Sequence, residues 1–110
     1  MANTFTRYTS RDVGTTATSV GGLTVAAGTQ TTVIGFTCAN TTTTAITVDV
    51  QHSDGTNDTY LVKGATVPSG GSLVVIGGDQ KVVLATGDSI KVTSSAATSC
   101  DVFMSVLEIT

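Results

Sequence analysis

The sequence predicts an all-β protein, an antiparallel β-sandwich or jelly roll of about eight short strands led by an extended N-terminal arm. Three observations predict it. Threonine is the commonest residue and valine follows, with one proline and no tryptophan; β-branched side chains at that density favour extended backbone, being stiff at χ1 and suited to a pleated surface. Apolar residues alternate with a period of two, and no stretch carries the 3.6-residue period of an amphipathic helix. Turn residues recur every eight to twelve residues or so, the spacing of sandwiches and barrels. At 110 residues the chain forms one domain that buries roughly two thirds of its unfolded surface. It divides into an arm over 1–20 and a β body over 21–110.

In the arm, "NTFTRYTSRD" sets Phe5, Arg7, Thr9 and Arg11 on one side of an extended ribbon and Thr4, Thr6, Tyr8 and Ser10 on the other. Alone it buries too little to offset roughly 1 to 2 kcal/mol of backbone entropy per residue. Strand addition to a neighbour's sheet edge would hold it, with Phe5 or Tyr8 giving specificity and Arg7 and Arg11 resting on the neighbour's acidic body. The body opens with a short strand at 23–26 inside "VGGLTVAAGTQ". "TTVIGFTCAN" then places Ile34, Phe36 and Cys38 on one face and Gly35 and Thr37 on the other. "TAITVDVQH" points Ile46, Val48 and Val50 inward and Thr47, Asp49 and Gln51 outward; a slip of one residue would bury Asp49, so this register is strongly specified. "SDGTND" makes a turn, and "TYLVKGATV" follows with Tyr60 and Val62 on one face, closed by Pro68, Gly70 and Gly71.

"SLVVIG" and "KVVLAT" are aliphatic on both faces, which suits central strands between two layers or a face covered by a neighbour. Between them "IGGDQK" reads as a glycine turn. "DSIKVTSS" alternates again, with Ile90 and Val92 inward. The last segment, "SCDVFMSVLEIT", carries Val102, Met104 and Val106 on one face and Phe103, Leu107 and Ile109 on the other. One sandwich interior cannot take both sets, so sister subunits or other chains are expected to cover the second. The interface candidates are therefore Phe5, Arg7, Tyr8, Arg11, Phe103, Leu107 and Ile109.

Charged residues are only 12% of the chain and the net charge is −3. Two arginines on an arm are too few for counterion-release binding to nucleic acid. No apolar run approaches the ~18 to 20 residues of a membrane helix, and "MANTFTRYTS" lacks a signal-peptide core, which predicts synthesis in the cytoplasm without export. In that compartment Cys38 and Cys100 are expected to be small buried residues rather than a disulfide. With His52 they lack the close spacing that starts a zinc site, so no metal or cofactor is predicted.

The loop "HSDGTNDTY" groups Asp54, Asn57 and Asp58, but it lacks the residue order of a calcium loop and reads as a hairpin turn. "PSGGSL" and "IGGDQK" match no phosphate loop. His52, the lone histidine, shares parity with Val48 and Val50 and is expected to be a partly buried structural or interface residue rather than a catalytic base. Glu108 and the scattered aspartates form no glycosidase pair. No catalytic residue is assigned, and the chain reads as non-enzymatic.

The segments "NDTYLVKGATVPSGGSL", "GGDQKVVLATGDSIKV" and the ending "SVLEIT" give residues 31–110 a resemblance to the small virion structural proteins of tailed bacteriophages, notably those infecting cyanobacteria and other aquatic bacteria. The resemblance implies a β-sandwich particle component, made in the host cytoplasm and assembled in many copies as a trimer or ring. Its partners would be other virion proteins, the major capsid protein foremost, and copies of itself. The small size, low-charge threonine-rich surface and arm suit a capsid cement or decoration protein. A neck or head-tail connector and a tail or baseplate component are the alternatives. A reading from another class is a calcium-assisted carbohydrate-binding module at the tail tip, using the 53–58 loop.

Overall fold

The computed structural model describes residues 2–77 and 81–110. It is an antiparallel sandwich of two sheets. In chain order the strands are β1 (Asn3–Val13), β2 (Thr18–Ser19), β3 (Gln30–Asn40), β4 (Ile46–Ser53), β5 (Asp58–Val67), β6 (Ser72–Ile76), β7 (Val82–Leu84), β8 (Ser89–Ser94) and β9 (Cys100–Ile109), with one 3-10 turn at Val20–Gly22. The first sheet runs β1-β9-β3-β6, and β7 shares the far side of β3 with β6; the second runs β2-β8-β4-β5. The turn expected within 77–81 lies largely outside the described residues.

The period-two pattern decides what enters the core. Ile46, Val48 and Val50 of β4, Ile90 and Val92 of β8, and Val102, Met104 and Val106 of β9 are all buried, as their parity requires. Register shifts interrupt that parity at five points among the described residues, and three of them bear on the expectations. One lies between Val33 and Gly35 on β3, so Val33 and Phe36 are buried while Ile34, expected inward, is only half-buried. A second lies beside Leu61, where Val50 pairs with Val62 and Gln51 with Tyr60. It sends Val62 toward the core and Tyr60 out, against the expectation that they share a face. The third centres on Gly64, whose positive φ of 67° suits glycine. Its N–H donates to Asp49 Oδ1 at 2.7 Å.

Other expectations are corrected by pairing. Residues 3–13 are extended, but what holds them is the chain's own β9, with Phe5 opposite Leu107, Arg7 opposite Ser105 and Thr9 opposite Phe103. The ladder continues through paired bonds between Ala2 and Thr110. The edge the arm needed is present within the same chain, because β9 has β3 on one side only. The strand expected at 23–26 is a loop after the 3-10 turn, although Leu23 and Val25 are still buried. β6 and β7 are not central. Each covers part of the outer edge of β3, β6 against 36–39 and β7 against 31–33.

The 3-10 turn lies against β1. Gly21 N–H donates to Ser10 Oγ at 2.8 Å, and a Cβ on Gly21 would come within 2.8 Å of Tyr8 Cβ and 3.2 Å of Thr9 N. Gly21 also has φ of 59°, so both space and conformation select glycine there. At the other end of the sandwich the buried Asn40 clamps the β3–β4 connection. Its Nδ2 donates to Thr44 O and Val67 O, and its Oδ1 accepts from Thr42 N–H at 2.9 Å.

Cys38 and Cys100 are buried free thiols, on inward positions of β3 and β9 one two-residue step apart in register. The neighbouring Cys100 thiol, together with burial, pushes the Cys38 thiol above the usual range, which disfavours the reactive thiolate at neutral pH.

Two substitutions test this packing. Phe36, buried to 1%, is expected to cost about 3 to 5 kcal/mol when changed to Ala, from lost transfer energy and the cavity left behind. Thr31 is fully buried and its hydroxyl has no partner among the described residues. Thr31→Val is therefore expected to raise the stability by about 1 kcal/mol, since it removes an unsatisfied buried donor. Urea-denaturation midpoints of both variants check the two signs.

Candidate functional site

The outer surface of the first sheet differs in kind from that of the second. Among the described residues the large hydrophobic side chains left exposed are Phe5 (75%), Val83 (68%), Val74 (65%), Phe103 (45%) and Tyr60 (45%). The first four lie on the outer face of the first sheet and only Tyr60 on the second. The outer positions of the second sheet are Thr47, Asp49 and Gln51 on β4 and Lys91 and Thr93 on β8, a polar surface of the ordinary kind. On it the Lys63 amine sits 4.5 Å over the Tyr60 ring.

Register arranges the apolar face into cross-strand rows. One row is Phe5, Leu107, Thr32 and Val83; another is Thr9, Phe103, Thr37 and Val74. Between them runs the row Arg7, Ser105 and Gly35, of low relief at Ser105 and Gly35, where a Cβ built on Gly35 meets nothing within 4 Å, and ending in the exposed Arg7 on β1. Beyond Phe103 the surface dips into an open depression of about 310 Å³, walled by Thr9, Arg11, Thr37, Ala39, Asp101 and Phe103. Single exposed hydrophobics are normal; four large ones on the outer face of one sheet make that face the candidate contact surface.

Six of the seven interface candidates are brought together here. Phe5, Arg7 and Arg11 stand on β1, and Phe103, Leu107 and Ile109 stand beside them on β9. Tyr8 is the exception. Its parity with Met104 turns it inward, where it packs against the core and its hydroxyl donates to Glu108 Oε2. Val74 and Val83 were missed as candidates, although the two-faced aliphatic pattern of their segments carried the signal.

The other sequence candidates have structural duties. Asp54 Oδ1 accepts N–H bonds from Thr56 at 2.8 Å and Asn57 at 2.6 Å, which hold its carboxyl below the usual range; the 53–58 loop is a self-capped hairpin turn. His52 Nε2 lies 2.8 Å from Asp88 Oδ2, and the same oxygen accepts Ala85 N–H at 2.9 Å. This pair ties the β7–β8 turn to the end of β4. Among the described residues no three His, Cys, Asp or Glu side chains converge as a metal site.

No family model matches the chain, and no curated protein matches it. Among solved structures, the chain is similar in fold to a protein described under the words "Bacillus endospore appendages form a novel family of disulfide-linked pili". The TM-score is 0.56 at 17% identity, over 99% of this chain and 87% of that one. At that identity the likeness is one of fold: an antiparallel two-sheet β domain.

The Tyr8–Glu108 bond has a titration consequence. The hydrogen bond to Glu108, then burial, then the negative charge of Glu108 push the Tyr8 phenol from 10.0 to about 12. A phenol held protonated in the fold adds stability that is full below pH 10 and is lost as the pH rises toward 12. Urea midpoints of the parent are expected to fall across that window, and Tyr8→Phe is expected to flatten the fall; equal slopes in the two proteins would deny the bond its role.

Proposed function

We propose that this chain is a non-enzymatic structural subunit of a multi-copy particle. The observation that carries this reading is the set of four exposed large hydrophobics, Phe5, Val74, Val83 and Phe103, on the outer face of the first sheet, set against the polar outer face of the second. A β-sandwich with one greasy exterior is an unfinished object in water, and a fixed neighbour completes it. The resemblance of residues 31–110 to small virion proteins of tailed bacteriophages supports a virion as the particle, and the small size and low-charge, threonine-rich surface favour a cement or decoration protein clamping capsid subunits. The neck and the tail are the other placements of the same material.

The fold likeness to an endospore-appendage protein supports a second reading, a filament subunit. Those pili are described as disulfide-linked. In this chain both cysteines are buried, so a filament of it would be held without covalent links.

The test is location. In particles purified from cells producing the chain, immunogold labelling and quantitative mass spectrometry are expected to find the wild type on the head surface in regular stoichiometry. Incorporation of Phe103→Glu is expected to fall at least tenfold. A chain absent from particles, or found as free filaments, would overturn the virion reading.

A further inference from the structure

We propose that the apolar face of the first sheet is the contact surface of a two-fold symmetric dimer, its partner being a second copy of this chain. The inference rests on the structural-subunit reading and adds who covers the face.

The rows carry it. The apolar side chains lie in two rows on either side of the Arg7, Ser105 and Gly35 row, each one two-residue step of about 6.8 Å away. A two-fold axis lying along that central row, in the plane of the interface, exchanges the two outer rows. Leu107 of one copy then rests on Phe103 of the other, and Val83 rests on Val74.

Phe5, the most exposed of the large hydrophobics, arrives over the depression beside Phe103, where Thr9, Arg11 and Asp101 form the wall. Knob and hollow thus sit at mirrored distances from the axis, the self-complementarity that an isologous contact requires. Along the axis itself Ser105 and Gly35 leave room for the approach. Arg7 and Arg11 belong to the edge strand β1 and can keep their charged heads at the wet rim.

The area is adequate. Four strands abreast at about 4.8 Å, over the ten residues of β9 at about 3.4 Å each, give a footprint of roughly 650 Å² before side-chain relief is added. A standard interface uses about 800 Å² of accessible surface per partner. An axis perpendicular to the strands sets the strands of the two copies antiparallel and closely aligned at the axis, within the aligned class of sheet packing.

Sedimentation of the purified full chain at micromolar concentration is expected to give twice the 11.1 kDa monomer. Phe5→Glu and Phe103→Glu are each expected to return it to monomer with an unchanged far-ultraviolet spectrum, while Tyr60→Glu on the opposite sheet leaves the dimer intact. A residue on a two-fold axis meets its own copy. Ser105→Cys is therefore expected to form a covalent dimer under mild oxidation, and Thr47→Cys is not. A monomer at all concentrations, a dimer sensitive to Tyr60→Glu but not Phe103→Glu, or an open-ended polymer would overturn the proposal. A monomer that still enters particles would reject the dimer and leave the subunit reading standing; a dimer never found in particles would do the reverse.

Discussion

The structure depends on one strand that is apolar on both of its faces while the fold covers only one of them. β9 lies between β1 and β3 and sends Val102, Met104 and Val106 into the interior, where each is at most 3% exposed. Its other parity, Phe103, Leu107 and Ile109, has no layer above it. Because parity is fixed by the pleat, the chain cannot bury the second set without exposing the first. The inner set decides the register of β1 and β3 against β9, and that register lines up the outer set with Phe5 and, across β3, with Val74 and Val83. The core thus arranges the exterior.

Bulges adjust the rest. Each inserts a residue that changes which side chains face inward, and each lies where a strand must bend or widen. The Ile34 bulge brings Phe36 into the core, the Leu61 bulge brings in Val62, and Gly64 closes the third with a bond to Asp49. Polar groups at the ends of the sandwich finish the fold: Asn40 at one connection, and Asp88 with His52 at another.

Much of this was legible in the sequence. Strand content, the inward sets of β4, β8 and β9, the hairpin at 53–58 and the two-faced last strand follow from alternation and turn chemistry alone. What was hidden has a common cause. A bulge leaves no compositional mark, so Ile34 and Tyr60 were assigned by a parity that the backbone interrupts. Partner choice is equally silent. Residues 3–13 read as an extended arm needing an edge, and only the three-dimensional pairing reveals that β9 of the same chain offers one. The two aliphatic faces of β6 and β7 read as central strands or as a face covered by a neighbour; the pairing places both at the edge beyond β3. The candidate surface was half-visible, since Phe5, Phe103, Leu107 and Ile109 follow from period two but their alignment with Val74 and Val83 requires register.

The 3-10 turn at Val20–Gly22 has a bearing on behaviour in crowded surroundings. It leans on the backbone of β1 around Tyr8 and Thr9, just ahead of the irregularity between Ser10 and Val13 that interrupts this eleven-residue edge strand. Gly21 acts as a doorstop. Covering that stretch shortens the length of rim on which a stray strand could add, the usual way an exposed sheet border is blunted.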